Sequence, residues 1–391
     1  MAMKCGTNKI WQKIVEGCIK LSGSISSLIV VLIIVFLFKE GLGLFSNSTV
    51  ESGYVVAVQE NNPVSHLNAE QLRLIFDGEI TRWEDVKQKS GKTFSGEIVV
   101  AHDIDQALEQ EDKTQLIAFV PKEYLNEIGN MRAVDCGNIN LSDFFAGKMW
   151  MPTAQPAPQF GVLPIILGTL WVSLAAIIIA LPFALSAAVY LSEIANKRLY
   201  KFLKPAIELL SGIPSVVYGF FGLVVIVPII QKTFGLDVGE TALSGAIILA
   251  IMALPTIITI AEDAMRATAD SLREASLALG ANRWQTIYKV VIPHAKSGIT
   301  AGVVLGIGRA IGETMAVLMV CGNAAVMPHT LLEPIRTIPA SIAAELGEAP
   351  NGGAHYQALF MLACILFIIT LLINLIVDYI QNKGTIKQKS K

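Results

Sequence analysis

The sequence predicts an all-α integral membrane protein of six spanning helices, with a small α/β insert between the first span and the second. Three observations carry that prediction. Of 391 residues, 53% are hydrophobic and only 16% charged, a balance poor in solvated surface. Six charge-poor apolar runs fall at about 21–38, 160–192, 209–231, 241–261, 297–320 and 354–377, each near or beyond the roughly 20 residues a helix needs to cross a bilayer. One long stretch, about 40–159, is rich in charge and interrupts this pattern.

The net charge of −2 conceals a partition of Lys and Arg among short segments. Lys4, Lys9, Lys13 and Lys20 precede the first run, and Lys197, Arg198, Lys201 and Lys204 follow the second. Arg266, Arg273, Arg283, Lys289 and Lys296 fall between the fourth and fifth, and Lys383, Lys387, Lys389 and Lys391 end the chain. These four segments share one side of a six-span topology, so both termini are expected in the cytoplasm. The first run follows a basic start, yet it is long and no small-x-small cleavage site follows, so it reads as an uncleaved anchor. Cys5, Cys18, Cys136, Cys321 and Cys364 show no metal-ligand spacing, and Cys136 alone lies in the long charged segment. No disulfide framework, metal site or cofactor is expected there.

Three parts follow from this reading: residues 1–45 as N-terminus and first span, 46–145 as the insert, and 146–391 as a core of five further spans. In the insert, Tyr54–Val58, Glu97–Ala101 and Met131–Val134 read as strands. Asn68–Phe76, Gln106–Phe119 and Lys122–Ile128 read as helices with apolar faces. Asn68, with Gln71 three residues on, fits a helix N-cap. Beyond the insert, Pro152, Pro156 and Pro158 bar a regular helix, and Trp150 suits an interfacial anchor. Pro182 is expected to kink the second span. In the third, Gly212, Pro214 and Gly219 suit close helix approach, and Pro214 frees a carbonyl. The connection from Cys321 to Gly353 holds four prolines, as a cap over the bundle would. Glu333, Glu345 and Glu348 read as its solvated face, with pairing to a basic partner as the other reading.

The loop 262–296 organises the chain. Arg273-Glu274-Ala275-Ser276-Leu277-Ala278-Leu279-Gly280 predicts a short helix through Leu272–Leu279 that breaks at Gly280. A second helix from Asn282 is expected to stop before Pro293. This elbow between two spans resembles the coupling loop of ABC-importer permeases, whose pattern is Glu-Ala-Ala, three residues, Gly, nine residues, Ile-x-Leu-Pro. Ser276, Val290 and Ile292 depart mildly from it, and Ala269 stands where the family has proline. The alternative is an ordinary interfacial helix. Gly306-Ile307-Gly308-Arg309-Ala310-Ile311-Gly312-Glu313-Thr314-Met315 through Met319 is similar to the matching helix of phosphate-specific permeases, and Met315 to Met319 favours the PstC-type subunit.

The resemblance implies the six-helix type I ABC-importer permease fold in the bacterial inner membrane, and import of inorganic phosphate. It implies four kinds of partner: a PstA-type second permease, a PstB-type ATPase dimer, a PstS-type external binding protein and membrane lipid. Arg273, Glu274, Ala275, Gly280 and Pro293 would form the ATPase coupling site. No Gly-rich loop ending in Lys-Ser or Lys-Thr occurs, so ATP falls to another chain and this one is expected to be no enzyme. No nucleic-acid partner is expected. The stretch Asn62 to Val86 is also similar to part of PstS-like phosphate-binding proteins. Positions 101–105 read Ala-His-Asp-Ile-Asp where an anion loop would sit, and Asp103 and Asp105 would repel phosphate. The insert is therefore expected to pack or dock, or to be a spacer, rather than to capture phosphate.

Arg309 and Glu313 are the candidate substrate-pathway residues. A guanidinium at membrane depth needs protein or water around it and commonly marks a pathway, and its planar fork matches phosphate oxygens. Glu313, four residues on, is expected on the same helical face, where the two could equally form a buried pair that fixes packing. Two other functions stay open at this point: a permease for sulfate or molybdate, and a phosphate-sensing membrane scaffold.

Overall fold

The computed structural model describes residues 5–51, 53–86, 94–110 and 113–389, with side chains described for 11 and for 13–379 within those stretches. Lys4 and Lys391, and the side chains of Lys9, Lys383, Lys387 and Lys389, used in the charge partition, lie outside them. Among the described residues, five helices are long and apolar enough to cross a membrane, and a pair bent by 69° supplies a sixth.

α1 (Cys5–Gly43) is one unbroken helix, and its apolar side chains from Ile14 to Ile33 stay exposed, as a lipid-facing helix requires. It meets the bundle only toward its end. There a Cβ added at Gly41 would lie 3.1 Å from the Met361 backbone, so glycine permits the close approach.

The insert folds as β1 (Tyr54–Gln59), α2 (Ala69–Phe76), β2 (Val99–Ala101), α3 (Ile104–Glu109), β3 (Leu116–Pro121) and β4 (Met131–Ala133). The sheet order is β2-β3-β1-β4, with β1 antiparallel to β3 and β4, and β2 parallel to β3. Alternation along the strands builds two cores. Val56, Val58, Ile117 and Phe119 pack with Leu72, Ile75 and Trp83 on one face. Ala57, Leu116, Ala118 and Val120 pack with Ala107 and Ile128 on the other. Asn68 caps α2 with the expected reciprocal bonds to Gln71.

Two expected helices are corrected here. Residues 106–119 split into the end of α3 and the central strand β3, and 122–128 hold only a single turn at Lys122–Tyr124. The run Leu116-Ile117-Ala118-Phe119-Val120 is apolar throughout, and a continuous apolar run of that length fits a strand buried on both faces as well as a helix. Pairing with β1 and β2 decides it.

α4 (Leu141–Ala146) and a ribbon of β5 (Trp150–Met151) with β6 (Gln159–Phe160) return the chain to the bundle. α5 (Leu163–Val189) passes through Pro182 and ends in a π turn, Tyr190–Ile194. α6 (Lys197–Ser211) is separate. The third span then begins at Ser215, not near 209, as α7 (Ser215–Phe221), a π turn and α8 (Val227–Phe234). Pro214 precedes α7 in extended conformation, and the residue before a proline disfavours helix, so Ile213 cannot carry α6 across. α9 (Ala242–Arg266) packs along α5 through small residues, Ala176, Ala180 and Ala184 against Ala246, Ala250 and Ala253.

α10 (Asp270–Ala278), α11 (Arg283–Thr286) and α12 (Ile292–His294) form the elbow. The second arm continues past Pro293 to His294, contrary to expectation, because the wider π turn Ile287–Val291 opens the turn that the proline ring would otherwise strike. α13 (Lys296–Gly312) and α14 (Met315–Val320) were expected as one helix and are two, separated at Glu313 and Thr314. α15 (Ile338–Glu345) tucks its first turn into the bundle, and α16 (Ala354–Lys389) closes the chain beside α1.

Candidate functional site

The elbow is a rigid corner. Gly280 has φ +87, a left-handed conformation with open space around it, so glycine is there for backbone freedom and not for lack of room. Asn282 caps α11 reciprocally with Gln285, and the Ser276 and Thr286 hydroxyls bond across the corner at 2.9 Å. Glu274 and Ala275 are exposed, as are Leu277, Leu279, Trp284, Tyr288 and Pro293, so the corner presents apolar and aromatic surface flanked by charge.

Arg273 does not belong to that outward surface. Its guanidinium points inward, donating to Glu193 Oε1 and to the Met265 carbonyl, each at 2.9 Å, and to the Thr268 carbonyl. Arg273 thus anchors the elbow to the ends of α5 and α9. Arg283 also donates to the Glu193 carbonyl. Behind these lies a second anchor. Glu262 is fully buried and accepts from Lys204 at 2.5 Å and pairs with Arg266, whose guanidinium also lies 3.8 Å from the Tyr200 ring centre. Burial alone would lower the Lys204 pKa, but its bonds to Glu262 and Asp263 outweigh that and raise it. Sequence reading counted Lys204 only as a loop charge and gave Glu193 and Glu262 no role. The available signal was an acid directly after the second and fourth apolar runs, each facing a basic segment.

The two charges in the fifth span stand apart. Arg309 occupies the last turn of α13, where the helix dipole favours a cation. Its Nη1 donates to Thr256 Oγ1 of α9 at 3.4 Å. Glu313 lies beyond that helix, in extended conformation, and its Oε1 accepts the Ala316 N–H at 3.4 Å at the start of α14. No Arg309–Glu313 ion pair forms, because the break takes Glu313 off the helical face that the four-residue spacing assumed. An open cavity of about 520 Å³ lies beside the break, lined by Gly312, Thr314, Pro339, Ile342 and Leu366 among others. The Arg309 guanidinium is half-buried with one hydroxyl partner, leaving most of its donors for another group.

A third cluster ties the insert's return path to the bundle. Glu345 accepts from Trp150 Nε1 at 3.0 Å, contacts His355 Nε2 at 2.8 Å and pairs with Arg336. Burial alone would raise the Glu345 pKa, but the bonds from His355 and Trp150 and the Arg336 charge outweigh it and hold the carboxylate below its ordinary value. Two expectations change here: Glu345 is no solvated residue, and Trp150 is buried against Phe160 instead of anchoring in an interface. A cavity of about 470 Å³ separates the insert from this return path, lined by His66, Arg73, Asn140 and Lys148 among others.

Residues 180–384 match the family described as binding-protein-dependent transport system inner membrane component. The chain belongs to that family. Its five spanning helices, bent sixth and elbow are thus those of an importer's membrane component, with the ABC-importer permease fold expected from the sequence. A probable ABC transporter permease protein, YqgH, of Bacillus subtilis is 41% identical over 241 residues, covering 62% of this chain and 78% of that one. The phosphate transport system permease protein PstC of Mesorhizobium japonicum is 38% identical over 255 residues, covering 60% and 77%. PstC 1 of Mycobacterium tuberculosis is 33% identical over 294 residues, covering 66% and 86%. Among solved structures, the MetNI methionine ABC transporter aligns over 57% of this chain and 94% of that chain at 21% identity, with a TM-score of 0.43.

Proposed function

We propose that this chain is the PstC-type permease subunit of an ATP-driven importer that moves inorganic phosphate into the cytoplasm. The observation that carries the reading is the likeness to phosphate permeases, at 38% identity over more than three quarters of a relative. Both termini and the elbow lie in the cytoplasm, by the distribution of Lys and Arg. Residues 1–45 form the anchor, 46–145 an external insert, and 146–391 the permease core with its coupling loop 262–296.

Work enters through the elbow. A separate PstB-type ATPase dimer grips the exposed face around Glu274, Ala275 and Leu279, while Gly280 sets the corner and Pro293 lies on the arm leading to α13. Arg273 and the buried Glu262 make the elbow move with α5 and α9 instead of flexing alone, since breaking such buried pairs costs several kcal/mol. A PstA-type permease completes the path, and a PstS-type binding protein delivers phosphate from outside. Arg309 faces the path and offers its planar fork to the anion at a helix break, where water or substrate can satisfy the remaining donors. Glu313, held at the start of α14, keeps a negative charge near the path and separates it from the guanidinium.

The insert docks the binding protein and does not capture phosphate itself. Asp103 supports this, because its carboxylate already accepts the Gln106 N–H at 2.8 Å at the head of α3, where an anion would need free N–H groups. Purification of the intact complex through a tag on this chain, with mass identification of its subunits, tests the assignment. Recovery of an ATPase, a second permease and a phosphate-binding protein supports it. Recovery with a signalling kinase and no ATPase contradicts it.

A further inference from the structure

We infer that α6 is a lipid-binding interfacial helix that holds anionic headgroups of the cytoplasmic leaflet along an edge made by Arg198 and Lys201. Its placement in that leaflet rests on the orientation proposed above. α6 follows the end of the preceding span, Ile194, by three residues and precedes Ser215, the start of the next span, by four. A helix of 15 residues is about 22 Å long, so with both ends tied to spans on one side it cannot leave the bilayer boundary.

The roll of the helix about its axis is fixed. Tyr200, Leu203 and Ile207 pack on the bundle, Lys204 is held by Glu262 and Asp263, and Arg266 covers the Tyr200 ring. That leaves a second apolar wing with no cover: Leu199, Phe202, Leu209 and Leu210 are exposed, Phe202 by 73% and Leu209 by 74%. At about 100° per residue these four positions fall within an arc of about 100°, on one side of the helix. Arg198 borders the wing with Lys201 next to it, both exposed, and Glu208 is the helix's single acid. An apolar wing bordered by cations complements acyl chains below anionic headgroups. A protein surface complementary to the wing would have to bury those cations as well, which is costly without paired acids.

A photocrosslinking residue placed at Phe202 of the full chain, in the assembled complex in native membranes, tests this by mass analysis of the adducts. The expected adducts are lipids in which phosphatidylglycerol exceeds its share of the membrane, whereas a control site at Leu32 on α1 gives lipids in proportion to abundance. Arg198→Gln and Lys201→Gln should each reduce the enrichment about fivefold or less at this surface. Adducts to another polypeptide overturn the inference, as do lipid adducts without anionic enrichment or none at all. The readout does not involve uptake, so a chain that moves another solute gives the same adducts. A reversed orientation shows instead as labelling of Lys201 by an impermeant amine reagent added outside.

Discussion

Replacing Arg273 by alanine should loosen the elbow without touching its outward face. The side chain is 18% exposed and Glu193, its partner, 10%. Removing the guanidinium leaves that carboxylate without its cation and strips a donor from the Met265 and Thr268 carbonyls. The bond to Asp270 adds little, since that carboxylate is 91% exposed. Breaking a buried pair by deleting one partner costs about 3–5 kcal/mol, and water near the elbow favours the lower end. At about 1.4 kcal/mol per decade, the loss corresponds to roughly a hundredfold or more in local opening of residues 268–280. Hydrogen exchange of the α10 amides in the purified complex reads this directly. Arg273→Lys should recover part of the protection, because it restores the charge but not the fork. Unchanged α10 protection in Arg273→Ala, together with lost coupling, would refute the anchor and return Arg273 to the ATPase contact.

For the pathway charges, Arg309→Gln should lower uptake more than Arg309→Lys, and the double change with Glu313→Gln should not restore it, as the two side chains do not pair; recovery in the double variant, at equal membrane abundance, would contradict that geometry. Glu274→Lys, on an exposed side chain, should leave thermal stability unchanged while lowering phosphate moved per ATP hydrolysed. Gly280→Ala meets no neighbour but forces a left-handed φ at about 1–2 kcal/mol, so it should reduce the same ratio and also raise exchange at the corner. Glu345 has its pKa lowered by folding, so the stability it contributes is present above its ordinary 4.5 and is lost as pH falls below that. Glu345→Gln should cost about 1–3 kcal/mol near neutrality and flatten the acid side of the melting profile, read by Trp150 fluorescence; an unchanged acid limb would show that the cluster does not set it.

Much of this architecture is legible locally. Apolar runs mark the spans, the Asn68 and Gln71 pair marks a helix start, and Gly280 marks the elbow, because each depends on residues within a turn or two. What failed depends on partners far along the chain. β3 is a strand because β1 and β2 flank it, although its apolar run alone suits either structure. The break after Gly312 takes Glu313 off the helical face of Arg309, and a four-residue spacing is no guide across a break. Trp150 and Glu345 lie far apart in sequence yet meet in one buried cluster, and neither residue alone signals it. The same holds for Arg273, whose inward turn needs Glu193 from another helix.

We propose that phosphate passes through this chain under ATP drive. It is tested most directly by phosphate accumulation in proteoliposomes holding the complex, with binding protein outside and ATP enclosed with the ATPase face. Phosphate uptake is expected to require ATP, to fall sharply in Arg309→Gln and not to be competed by sulfate or molybdate. Equal accumulation of sulfate, or phosphate uptake that persists when this chain is omitted, would contradict it.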